Sequence, residues 1–158
     1  PHIFGSAKVA SAEEVAHNWE ALKQEERGGA SILASVPKQM PALAYSQAIQ
    51  RRVAQVGFDW KDVEGVIDKL SEEVREFKQA GAGEQQAREF GDLFFTLVNI
   101  ARRLGVDSEA ALREANARFY KRFAYMEELC GQRGLNFAKL SFDEQNALWE
   151  EAKKGVEG

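Results

Sequence analysis

Proline occurs in this chain only at Pro1, Pro37 and Pro41. From residue 42 onward nothing removes a backbone donor or clashes with a preceding turn, so long helices are permitted to the end. The apolar spacing calls for them. Ser11 and Glu14 form a capping box that opens a helix to about Arg27, ended by Gly28 and Gly29. Residues 28–41 carry Gly, Ser and Pro and read as a loop. Helices are then expected over 42–56, from the Gly57-Phe58-Asp59-Trp60 connection to about Ala80, over 84–104, and from Asp107-Ser108 to about Gly131. A second capping box, Ser141 with Glu144, starts a last helix to about Lys154. No β-alternation runs longer than a few residues. Short turns between consecutive helices imply antiparallel neighbours. The expected fold class is all-α, a helical bundle. Residues 1–41 form an N-terminal arm, helix and loop, and residues 42–158 form the helical domain.

The formal net charge of −4 does not favour a nucleic-acid partner, which would want a basic face. The single cysteine, Cys130, cannot form a disulfide within the chain, and a reducing cytoplasm is the simplest setting. Both histidines, His2 and His17, lie near the start, which excludes a His/Cys zinc site in the body of the chain. The longest apolar stretch, Leu93 to Ile100, is interrupted by Thr96 and Asn99 and is too short for a membrane span. No secretory signal is visible.

The acids are placed with more purpose. On a helical wheel Val63, Val66, Ile67, Leu70, Val74 and Phe77 form one apolar stripe. Glu73 sits at its border, with Glu72 and Glu76 continuing outward on the same side. In the segment 84–104 the core stripe is Phe90, Leu93, Phe94, Leu97, Ile100, Ala101 and Leu104. Glu89 and Asp92 flank it together with Thr96. Phe95 and Val98 add apolar surface elsewhere, so this helix is expected to be covered on most sides. A carboxylate there is costly to bury unless paired or metal-bound. An antiparallel hairpin brings Glu73 and Glu76 opposite Glu89 and Asp92. Four oxygen donors without His or Cys favour magnesium, or manganese in its place, over zinc. The competing explanation is a solvated acidic face, and for Glu72, beside Arg75 and near Lys69, it is equally good. A di-iron bundle would need Glu-x-x-His pairs, and no histidine follows residue 17.

In the segment 108–131 Leu112, Ala115, Phe119, Phe123 and Met126 read as core, with Arg118 and Arg122 four residues apart on one side. Two such guanidiniums can grip a polyphosphate, or simply answer Glu114 and Glu127. Trp149, Phe58 and Trp60 read as core packing, although a flat base could stack at Phe58 and Trp60.

The run Glu72-Glu73-x-x-Glu76, followed after twelve residues by Glu89-x-x-Asp92, resembles the signature of the MazG family of the all-α NTP pyrophosphatases. Gln50-Arg51-Arg52, Val56-Gly57-Phe58-Asp59-Trp60, Gly91-Asp92-Leu93-Phe94, Ala115-Asn116-x-Arg118-Phe119-x-x-Arg122-Phe123 and Leu148-Trp149-x-x-x-Lys153 resemble family positions in the same order. The likeness runs from about Pro41 to Lys153. Pro1-His2-Ile3-Phe4, which opens the chain without a methionine, resembles the stretch joining the halves of two-repeat MazG proteins, so a C-terminal catalytic half is expected. The resemblance implies a Mg²⁺-dependent cleavage of nucleoside triphosphates to monophosphate and pyrophosphate, in a homodimer. It implies Mg²⁺ on Glu73, Glu76, Glu89 and Asp92, and phosphate contacts from Arg118, Arg122 and Lys153, with Trp149 nearby. Arg118 stands where the family usually has lysine, and no lysine immediately precedes Glu89. Glu72, the motif acid left without a metal role, is expected to orient or deprotonate the water. Two other readings stay open: a dUTP- or phosphoribosyl-ATP-specific pyrophosphohydrolase, and a non-catalytic regulatory interaction domain.

Overall fold

The computed structural model describes residues 30–157, with the side chain of residue 157 excepted. The helix expected over 11–27 lies outside the described residues. Those described are all-α: α1 (Ala42–Ala54), α2 (Val63–Gln79), α3 (Glu84–Arg103), α4 (Ser108–Arg133) and α5 (Phe142–Glu157), with 3-10 turns at Ile32–Ser35 and Phe137–Lys139. No strand occurs among the described residues.

Helix ends follow local chemistry. Asp62 caps α2 by accepting from the Gly65 amide at 2.9 Å, so the helix starts later than the Gly57–Trp60 connection. Helix α4 runs past Gly131, because the residue that ends it is Gly134, at φ 65°. Leu135 donates to the Cys130 carbonyl and Gly134 to that of Gly131, the paired closing bonds of a left-handed terminus. Val106 and Gly105 close α3 the same way, on Ala101 and Arg102.

The chain divides into two compact units that meet in sequence at Glu109 and Ala110. In the first, α2 and α3 form a hairpin and α1 packs on α3. Phe90 joins the hairpin, with its ring 5.7 Å from Phe77 and 4.9 Å from Phe94. Buried Gln47 ties α1 to the turn after α3: its Nε2 donates to the Val106 carbonyl, and its Oε1 accepts from the amide and hydroxyl of Ser108. Val66, Thr96 and Val98 are buried, but Phe90, Phe94, Leu97 and Leu104 are half-exposed or more. The sequence placed all four in the core. Among the described residues of the first unit, α1 and α2 are the helices that pack on α3 most extensively, and these four side chains remain accessible.

In the second unit α4 and α5 enclose Met126, Leu129, Cys130, Leu148 and Ala152, with Phe123, Tyr125, Phe137, Leu140 and Trp149 packed around them. Leu112 and Phe119, expected in the core, are half-exposed. No helix among the described residues is long and apolar enough to cross a membrane.

Candidate functional site

The α2–α3 hairpin delivers three of the expected acids to one place. A carboxylate oxygen from each of Glu73, Glu76 and Glu89 lies within 4.8 Å of the other two. Glu73 is only 5% exposed. Its Oε1 meets the Lys69 ammonium at 2.7 Å, one helical turn back, while its Oε2 is buried with no hydrogen-bond partner. Lys69 also holds Glu72 at 2.9 Å. That hydrogen bond, with the lysine's charge behind it, keeps the Glu72 carboxyl below its ordinary range, and the two acids together push the lysine up. Glu76 is driven the other way, by desolvation first and then by repulsion from Glu73, with Glu72 and Glu89 adding less. Asp92, one turn along α3 from Glu89, is exposed, and the structure does not bring it into the close set.

A buried carboxylate oxygen without a partner is costly, and acids this close repel one another. Both penalties vanish if a cation sits among them. The donors are all carboxylate oxygens, which suits a hard divalent ion. The residues present therefore fit a metal, and the cluster could hold a divalent cation.

The expected cations lie in the second unit. Arg118, 55% exposed at its side chain, is 4.0 Å from Glu114 on its own helix. Arg122 stacks over the Trp149 ring, 5.5 Å from its centre, and Trp149 packs on Phe119 at 5.4 Å. Lys153 pairs with Glu150 at 2.6 Å.

Two features escaped the sequence reading. Lys69 was seen only as a neighbour of Glu72, yet it clamps Glu73 as well. The i, i+3 and i, i+4 spacing of Lys69 to Glu72 and Glu73 was the available signal. The second is a cavity of about 580 Å³ in the first unit, lined by α1, the 57–60 turn and α3. Phe58 and Trp60, expected as core, stand 77% and 42% exposed at this cavity. Asp59 anchors the turn to α3, accepting from Arg102 and from Arg103 at 3.0 Å. Burial opposes its ionisation, but the two guanidiniums and the Trp60 amide outweigh that and hold the carboxyl low.

Residues 43–119 match the profile of the Phosphoribosyl-ATP pyrophosphohydrolase family. Beyond that segment, 99% of the chain aligns at 42% identity with the nucleoside triphosphate pyrophosphohydrolase/pyrophosphatase MazG of Thermotoga maritima. Over nearly its whole length the chain is thus similar to MazG proteins. It is 38% identical, over 98% of its length, to the nucleoside triphosphate pyrophosphohydrolase of Escherichia coli. It is 40% identical to an uncharacterized protein, YabN, of Bacillus subtilis. The chain spans 61% and 62% of the first two relatives and 33% of the third. The family resemblance drawn from the acidic signature is thereby shown, and so is the all-α class that goes with MazG proteins.

Proposed function

We propose that this chain is a nucleoside triphosphate pyrophosphohydrolase, dependent on Mg²⁺, that releases a nucleoside monophosphate and pyrophosphate. The observation that carries the reading is the bare, buried Oε2 of Glu73 beside Glu76 and Glu89. These three, with Asp92 as a fourth donor, would hold the ion. When bound, it supplies charge neutralisation and Lewis acidity toward the phosphates.

The remaining work falls to the chain's own groups. Lys69 fixes the carboxylates of Glu72 and Glu73 in place. Glu72 stays ionised because its acidity is enhanced by Lys69, so it suits orienting a water through an accepted hydrogen bond better than removing a proton outright. Arg118, Arg122 and Lys153 are assigned to the phosphates, where they stabilise charge on departing pyrophosphate, and Trp149 keeps the Arg122 guanidinium in position. The half-exposed apolar residues of α3 support a homodimer. The reading places the enzyme in the cytoplasm.

A second reading draws on the family profile over residues 43–119: a pyrophosphohydrolase for phosphoribosyl-ATP. That match ends before Arg122, Trp149 and Lys153, whereas the named triphosphate hydrolases align across them. Turnover of a nucleotide panel, with and without Mg²⁺ and with products resolved, separates the two. Pyrophosphate from common triphosphates, with water-derived oxygen on the monophosphate, supports the first reading. Orthophosphate, or turnover of phosphoribosyl-ATP alone, rejects it.

A further inference from the structure

The cavity between α1, the 57–60 turn and α3 contains one polar atom whose state calls for a ligand. Gln50 lines it and is only 4% exposed. Its Nε2 donates to the Phe95 carbonyl at 2.9 Å. Turning the amide over would set oxygen against oxygen, so the assignment of its two ends is fixed. That leaves Oε1 buried and without a hydrogen-bond partner. An acceptor in that condition costs stability until a donor arrives.

The other walls say what kind of donor. Leu33, Ile49, Val53 and Phe95 make the interior apolar, and Phe58 and Trp60 offer ring faces at the 57–60 turn. Trp60 is held there by α2: a side chain at Gly65 would come within 3.2 Å of the indole. The ionised groups of the walls, Asp59 and Arg102, pair with each other and cancel. Asn99 turns its oxygen to Arg102, at 2.7 and 3.2 Å, which leaves its amide nitrogen as a donor. A phosphate has no free cation here. A flat, uncharged heteroaromatic ring bearing an N–H fits every wall. The volume falls in the range of about 300–1,000 Å³ usual for small-molecule sites.

We propose that this cavity seats the nucleobase of the substrate, with Gln50 Oε1 accepting a hydrogen bond from a base N–H and Phe58 and Trp60 packing on the ring. The assignment rests on the pyrophosphohydrolase reading for the nature of the ligand. Position agrees with it: Phe95 is six residues from Glu89 on α3, about 9 Å along the axis, within reach of one nucleotide.

Two variants test it. Phe58→Ala removes a ring that is 77% exposed and leaves folding intact, and Gln50→Met removes the acceptor while keeping the length of the side chain. The first measurement is calorimetric binding of nucleoside monophosphates without metal, which needs no turnover. Each variant should weaken that binding roughly tenfold, as the loss of one hydrogen bond or ring contact would. Binding of magnesium pyrophosphate should stay within about twofold, and KM for the triphosphates should rise with kcat held within about threefold. Unchanged monophosphate affinity in Phe58→Ala overturns the assignment, whether or not Gln50→Met folds. So does a change of oligomeric mass with affinity intact, which would make a second copy the occupant. If the wild type hydrolyses no triphosphate yet binds monophosphates in a Phe58-dependent way, the hydrolase reading falls and the base seat stands.

Discussion

The acids of the first unit and the cations of the second are held in opposite ways. Glu73 is buried, clamped on one oxygen by Lys69 and bare on the other, and two further carboxylates crowd it. Arg118 and Lys153 are substantially exposed, and each faces an acid on its own helix. A surface pair of that kind contributes little and needs no ligand to explain it. The acidic cluster crowds like charges around a bare, buried oxygen, a condition that a divalent cation could relieve. Strain in the resting protein therefore marks function in the first unit, and in the second function has to be read from turnover.

That contrast sets the size of the mutational effects. Glu73→Gln keeps the shape and removes the charge at the centre of the cluster. Turnover should fall by on the order of 10³, and the rise in melting temperature on adding Mg²⁺ should disappear. Near-normal turnover in this variant would sink the metal assignment. Asp92→Asn sharpens the point, because Asp92 stands outside the close set. A loss as large as that for Glu73→Gln makes it a ligand, and a small one leaves it an exposed acid.

Arg122→Ala comes next. Removal of a charge-assisted phosphate contact should cost about 2–4 kcal/mol in transition-state stabilisation. If the residue only packs on Trp149, stability should drop by roughly 0.5–1 kcal/mol and kcat/KM should not move. Equal falls for Arg122→Ala and Arg118→Ala would break the contrast, since only Arg122 is seated on an aromatic ring.

Helix positions were legible in the sequence because their signals are local: scarce proline, capping pairs, and glycines where the backbone turns left-handed. The close approach of Glu73, Glu76 and Glu89 was legible too, because a short turn forces an antiparallel hairpin. What failed was burial. Phe90, Phe94, Leu97 and Leu104 share a stripe with Leu93, but periodicity reports which residues lie on one face and says nothing of whether a neighbour covers it. Phe58 and Trp60 misled for the same reason, since large aromatic rings pass for core unless the cavity beside them is seen. The orphan oxygens of Gln50 and Glu73 depend on which partners are missing, and no spacing rule encodes that.

Asp59→Asn probes the frame that carries Glu89. The carboxylate binds two guanidiniums of α3, so its loss should cost about 1.5–3 kcal/mol in stability. Because the folded pKa is depressed, this contribution is present above the ordinary value near 3.8 and is lost as pH falls through the folded value. Wild type and variant should differ in melting temperature at neutral pH and converge only once the pH has fallen below the depressed folded value. A gap that persists in acid would assign the effect to packing of the turn instead.

The smallest effect is expected at the start of α5, the helix that carries Trp149 and Lys153. Ser141 and Glu144 form the reciprocal box read from the sequence: the Glu144 carboxylate accepts from the Ser141 amide at 2.7 Å and from its hydroxyl at 2.8 Å, and the Glu144 amide donates back at 3.3 Å. Those bonds hold the Glu144 carboxyl low, the backbone donor first, so the box is complete above the ordinary carboxylate range and opens as pH falls through the folded value. Ser141→Ala should lower the melting temperature by roughly 2–4 °C, and the deficit should shrink in acid. Lys153 lies three turns further along, and fraying fades within the first turn, so kcat/KM should stay within about twofold of wild type. Should it fall tenfold or more, roughly 1.4 kcal/mol, the second unit would hold its cations as tightly as the first holds its acids, and the contrast between them would fail at its weakest point.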